Sequence, residues 1–131
     1  MSWIIALMVM LLVSFVISLA VGVSTQTVGT TATTTAAEIV LAARTPADES
    51  TLRSPGSDVA TSLRFENRTT RALDVHWLDF AGQRKRYATV EPGATYSNAT
   101  YVGHVWVVAE SSGEGLAIYV ADTAPGVAIL G

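Results

Sequence analysis

Cysteine is absent from the 131 residues, so neither a disulfide framework nor a thiolate zinc site can hold the fold together, even in an oxidising compartment. Packing has to supply the stability alone. Basic residues are few: 8 Lys and Arg stand against 11 Asp and Glu, for a formal net charge of -3. They are spread along the chain instead of gathered on one face, which excludes the electrostatic footprint that nucleic acid requires. No Gly-x-Ser-x-Gly turn is present to expose a hydrolase nucleophile. Asp74 and His76, two residues apart on one strand face, lack the third and fourth ligand that a metal would need. With no catalytic constellation, neither an enzymatic activity nor a cofactor is expected.

Charge is also missing from the N-terminal run Trp3 to Val23, which is dominated by Ile, Leu, Met, Val and Phe. Roughly 20 apolar residues suffice to span a bilayer as a helix. Residues 1–23 therefore read as a hydrophobic helix, and both a cleaved signal peptide and a retained transmembrane anchor fit it. The stretch is longer than an ordinary signal core and has no basic n-region, whereas Ala20 and Gly22 satisfy the small-residue rule for cleavage. The remainder is expected to face the exterior, anchored to the membrane or secreted. Residues 24–58 read as a flexible linker rich in Thr, Ser and Pro, with too few large apolar groups for a core. Within it, Ala36 to Arg44 is rich in helix formers, with Glu38 near one end and Arg44 at the other, and predicts one short helix stopped by Pro46. Thr45 to Asp58 predicts a linker proper.

From Ser62 the period of apolar residues changes to two. Leu63 and Phe65 alternate with Arg64 and Glu66; after a turn at Asn67 to Arg71, Leu73, Val75 and Trp77 alternate with Asp74 and His76. Ala81-Gly82-Gln83 closes a hairpin onto a strand at Arg84 to Val90, and Glu91-Pro92-Gly93 ends that strand. Further strands are predicted at Thr95 to Thr100, His104 to Ala109 and Leu116 to Val120. Short strands at such regular spacing predict an all-β domain over residues 59–131, a small antiparallel β-sandwich.

Four spaced segments are more specific: Leu63-Arg64-Phe65-Glu66-Asn67-Arg68-Thr69, Val75-His76-Trp77-Leu78-Asp79-Phe80-Ala81-Gly82, Tyr87-Ala88-Thr89-Val90-Glu91-Pro92-Gly93 and Tyr101-Val102-Gly103-His104-Val105-Trp106. In order and spacing they resemble the β domain of the von Hippel-Lindau tumour suppressor family. In that family the β domain is the substrate-reading half of a ubiquitin ligase and binds a polypeptide after one proline has been 4-hydroxylated. The resemblance implies that Trp77, Tyr87 and Trp106 wall the pyrrolidine ring, while Thr100, where the family has Ser, and His104 hydrogen-bond the hydroxyl. The implied partner is a hydroxyproline-containing protein or peptide, with the membrane as a second partner of the N-terminal segment. An α domain that docks elongin C follows the β domain in the family; here the chain stops at Gly131, so elongin C is not an expected partner. The few residues Val127 to Leu130 leave little chain for a closing strand, which predicts a gene fragment or a strand supplied by a partner. A structural or protein-interaction sandwich that does not use the pocket is the alternative reading.

Two further features stand outside the pocket. Asn67-Arg68-Thr69 and Asn98-Ala99-Thr100 match the N-glycosylation acceptor pattern, with a turn role as the alternative for Asn67. Arg84-Lys85-Arg86 reads either as a charged edge strand protected against aggregation or as a patch for acidic ligand flanks.

Overall fold

The computed structural model describes residues 34–131; the hydrophobic helix expected over residues 1–23 lies outside them. Among the described residues no helix is long and apolar enough to cross a membrane. Among the described residues eight strands form two four-stranded sheets. In chain order they are β1 (Ile39–Val40), β2 (Ala60–Asn67), β3 (Leu73–Leu78), β4 (Arg84–Val90), β5 (Thr95–Tyr101), β6 (Val105–Glu110), β7 (Gly115–Val120) and β8 (Gly126–Leu130). One sheet has the order β1-β8-β2-β5 and the other β4-β3-β6-β7. The alternating residues of β2 and β3 put Leu63, Phe65, Leu73 and Val75 between the sheets, where Trp106, Val108, Tyr119, Ala128 and Leu130 meet them. Each such side chain contributes about 1.5 to 3 kcal/mol when fully buried.

The expected strands from Ala60 onward are present, and the chain between them departs from expectation in four places. First, β8 is a strand of the sheet, parallel to β1 on one side and β2 on the other. The fold is therefore a sandwich with one mixed sheet instead of an antiparallel one. Second, no partner strand is needed to close it: Val127, Ala128 and Leu130 are buried, and Ala121 to Pro125 carries the chain across from the other sheet. Third, the helix expected at Ala36 to Arg44 does not form. The free edge of β8 takes this segment instead, with Ile39 N bonded to Pro125 O and Leu41 N to Val127 O, both at 2.9 Å. Helix propensity is a weak prior, and an open β8 edge would leave backbone groups unpaired.

The fourth departure concerns Thr45 to Asp58. Strand β6, Val105-Trp106-Val107-Val108-Ala109, is buried on both faces. Its outward side chains Val105 and Val107 form a second cluster with Leu78 and Ile118 that needs a cover. The segment read as a linker provides it. Pro46–Thr51 is a short 3-10 helix, Leu52 packs on the cluster, and Glu49 accepts from Arg84 Nε and Nη2 at 2.5 and 2.6 Å. Ser54, 1 % exposed, accepts from Val105 N at 2.9 Å and donates its hydroxyl to Leu78 O.

Candidate functional site

A pocket of about 240 Å³ opens between the sheets at one end of the sandwich, and all five residues singled out in the sequence line it. Trp77 and Trp106 are opposed in register on β3 and β6, so their indoles leave the same face of the sheet. Tyr87 joins them through an irregularity in β4. Val75 opposes Ala88 and His76 opposes Arg86, so Tyr87 is the extra residue of a β-bulge, a device that re-aims a side chain beside a site. Its ring meets Trp106 edge-on, with centroids 4.9 Å apart, and stands 6.5 Å from Trp77. Thr100 comes from β5 of the other sheet.

His104 is held by a turn. His104 N bonds to Tyr101 O at 3.0 Å, and Gly103 adopts φ +85°, as a type II turn demands of its third residue. A side chain at Gly103 would also meet Pro55, with a Cβ 2.9 Å from its ring carbon. The turn sets the imidazole 5.4 Å from Trp77. Burial pushes the His104 pKa below the usual imidazole value, while the Pro55 backbone, facing the ring, pulls the other way. Proline has only a carbonyl to offer, so a ring nitrogen paired with it must be the protonated one.

The polar atoms of the pocket follow from this arrangement. Trp106 Nε1 donates to Thr100 Oγ1 at 3.1 Å, which leaves the Thr100 hydroxyl hydrogen free to donate into the cavity. His104 Nε2 is buried without a protein partner, and in the neutral ring facing Pro55 it is a bare acceptor. Trp77 Nε1 is also buried without a protein partner. Thr100 and His104 are 4 % and 7 % exposed. Buried polar groups left unpaired cost about 1 to 3 kcal/mol each, so the pocket holds polar atoms of Thr100, His104 and Trp77 that protein groups leave available for pairing.

Four lining residues were not among those five: Phe80, Asn98, Ala99 and Tyr101. Phe80 stacks edge-on against Trp77 at 5.2 Å, and Tyr101 lies 5.4 Å from His104; both are substantially exposed at the rim. Asn98 lines the pocket from β5. It stands two residues from Thr100 on the same face, so period two alone places it there. Phe80 is positioned by the hairpin turn, in which Asp79 Oδ1 accepts from Ala81 N at 2.9 Å and Gln83 N at 2.8 Å. The Gln83 N–H is the main cause holding the Asp79 carboxyl below its usual pKa.

Asn67 ends β2, and its side chain braces the turn that follows. It is 1 % exposed, its Nδ2 donates to Arg71 O and Val90 O at 2.7 and 2.8 Å, and its Oδ1 accepts from Thr69 N at 3.0 Å. Both amide hydrogens are in use, so a glycan on Asn67 would replace one of these two bonds. A glycan on Asn98 would occupy the pocket wall. Among the described residues no group of three or more His, Cys, Asp or Glu side chains could hold a metal ion; Asp74 is bonded by Thr89 and Arg86.

A model of the VHL beta domain matches residues 52–122. The match covers more than half of the chain, and the chain belongs to the VHL beta domain family.

Proposed function

We propose that this member of the VHL beta domain family is a non-enzymatic binding module that reads 4-hydroxyproline in a polypeptide. The family is a substrate-binding, non-catalytic one that recognises hydroxylated proline. The observation that carries the reading to this chain is the pairing of a free Thr100 hydroxyl hydrogen with the unpartnered His104 Nε2 inside a wall of Trp77, Tyr87 and Trp106. A ligand hydroxyl accepts from Thr100 and donates to His104, while the aromatic faces exclude water around the pyrrolidine ring. Unmodified proline leaves both groups unpaired, which amounts to about 30-fold to more than 1000-fold in affinity if each costs about 1 to 3 kcal/mol. The ligand main chain lies extended along a free sheet edge, gaining affinity from backbone pairing while the pocket supplies specificity.

The chain has 3 tryptophans, and two of them are pocket walls, so their indole N–H signals in a proton-nitrogen NMR spectrum report on the site directly. On titrating the full chain with a 4-hydroxyprolyl peptide, the Trp77 and Trp106 signals move and the Trp3 signal does not. The matched prolyl peptide leaves all three in place. Equal shifts with both peptides, or none with either, would favour a sandwich in which the pocket only packs the core.

A further inference from the structure

None of residues 46–58 lines the pocket, yet two neighbours among them fasten the turns that frame it. Ser54 is 1 % exposed. Its N–H donates to Asp79 O at 3.2 Å, and the same carbonyl accepts from Gly82 N at 3.0 Å inside the turn that carries Phe80. Its hydroxyl donates to Leu78 O and accepts from Val105 N at 2.9 Å. Leu78 and Val105 are opposed in register at the end of the ladder between the strands that carry Trp77 and Trp106, and Val105 directly follows His104. Pro55 is exposed and packs on the second turn. A Cβ on Gly103 would lie 2.9 Å from its ring carbon, and its backbone faces the His104 imidazole. Upstream, the segment is moored by Leu52, packed on the cluster of Leu78 and Val105, and by Glu49, which accepts from Arg84.

We propose that Ser54 and Pro55 form a positioning strap for the acceptor of the pocket: Ser54 ties the Phe80 turn to the strand that follows His104, and the Pro55 carbonyl accepts the proton of His104 Nδ1, which presents Nε2 bare to the ligand hydroxyl. The proposal rests on the reading of the pocket given above. In a neutral imidazole, the hydrogen bond that one nitrogen makes fixes which of the two carries the proton. Nε2 is buried without a protein partner, which leaves Nδ1 as the nitrogen for Pro55. Neither strap residue touches the ligand; both act through His104. Without the Ser54 hydroxyl, the end of the ladder loses two bonds and the His104 turn is free to move from Pro55. The ring then populates the form with its proton on Nε2, a donor that cannot take the ligand hydroxyl hydrogen.

The test reads the ring and the ligand preference separately on the full chain. The chain has 2 histidines, so imidazole nitrogen NMR at about pH 8, above the unperturbed imidazole value of about 6.5, shows without any ligand which His104 nitrogen carries the proton; His76→Gln assigns the signals. The proposal predicts a protonated Nδ1 and a bare Nε2. In Ser54→Ala, and in Pro55→Gly, which keeps the Ser54 side chain, the Nε2–H form appears. Calorimetric titration of each variant gives a preference for a hydroxyprolyl over a prolyl peptide reduced about fivefold or more, the lower end for one lost partner. A segment that only stabilises the sandwich would lower the unfolding midpoint and leave tautomer and preference as they were. The proposal is overturned if the unsubstituted chain carries the His104 proton on Nε2, or if either variant, folded by circular dichroism, keeps both the Nδ1–H form and the preference. Should Ser54→Ala fail to fold, the unsubstituted chain and Pro55→Gly decide. If the hydroxyprolyl peptide fails to bind the folded chain, the pocket reading falls and the role in specificity with it, whereas a proton on Nε2 overturns the strap alone.

Discussion

At the scale of single residues, the site turns on the protonation state of one ring. Neutral His104 offers Nε2 as an acceptor; a protonated ring offers only donors and cannot take the ligand hydroxyl hydrogen. Because burial lowers its pKa, His104 stays neutral at physiological pH. Hydroxyprolyl peptide affinity is predicted to be flat above about pH 6.5, the unperturbed imidazole value, and to fall once the pH drops through the lower pKa of the folded ring. An affinity that rises on acidification would contradict this role. His104→Ala is predicted to reduce the preference for hydroxyproline over proline by about 5- to 150-fold, the equivalent of about 1 to 3 kcal/mol for one lost partner, and paired-peptide titrations measure it.

The five pocket positions were singled out by the family resemblance and not by alternation: four of them fall in the spaced motifs, and Thr100 stands just before the last. Phe80 and Tyr101 were harder to place. Each sits at or beyond a strand end, where alternation stops and a turn decides direction: the Asp79 turn for Phe80 and the Tyr101-to-His104 turn for Tyr101. Phe80 lies inside the same motif as Trp77, and that nearness was the signal available.

At the scale of elements, β2, β3, β6 and β7 could be read because burial leaves a pattern in the sequence, whereas β4 and β5, with one buried residue each, were read from the turn signals that bound them. Strand β6 carried a further signal. A run apolar at every position is buried on both sides, which implies a cover beyond the sandwich partner. Its source was not legible, because Pro46 to Ser54 is polar and Pro-containing and contributes a few point contacts instead of a periodic face. Strand β1 was obscured by helix-forming residues, and β8 by its shortness; both owe their conformation to pairing with distant chain. Ser54→Ala tests the cover. It removes the acceptor of the buried Val105 N–H and the hydroxyl on Leu78 O, and is predicted to cost about 1 to 3 kcal/mol in urea unfolding. A cost near zero would mean that the segment is dispensable. Gly103→Ala tests the turn under His104: its positive φ and the contact with Pro55 predict a strained loop, with hydroxyprolyl affinity reduced more than stability.

At the scale of the whole molecule, the pocket is assembled from both sheets, with three aromatic walls on one, Thr100 on the other and His104 on the connection between them. Its ligand is therefore predicted to bind the folded sandwich and not the unfolded chain, adding about 2.7 kcal/mol to stability at 100 times the dissociation constant. Acid weakens the sandwich in two windows. His104 and His76 both have pKa values lowered chiefly by burial. The unfolded chain therefore takes up their protons first, and stability falls as the pH drops below about 6.5, until the folded rings titrate as well. The carboxylates of Glu49 and Asp79, lowered by their Arg84 and Gln83 partners, contribute above their unfolded values near 4 and lose that contribution as the pH falls through their folded ones. Thermal unfolding followed from pH 8 to pH 2 is predicted to show both declines, with the first diminished in His104→Gln.

The most direct test of the central claim is isothermal calorimetry on the full chain with two peptides that differ only by the 4-hydroxyl of one proline. The pocket described here predicts that the hydroxylated peptide binds at least about 30-fold tighter, and that removing His104 erases most of that ratio. Equal affinities in a folded protein would contradict it, leaving a VHL-like sandwich whose aromatic residues serve packing alone.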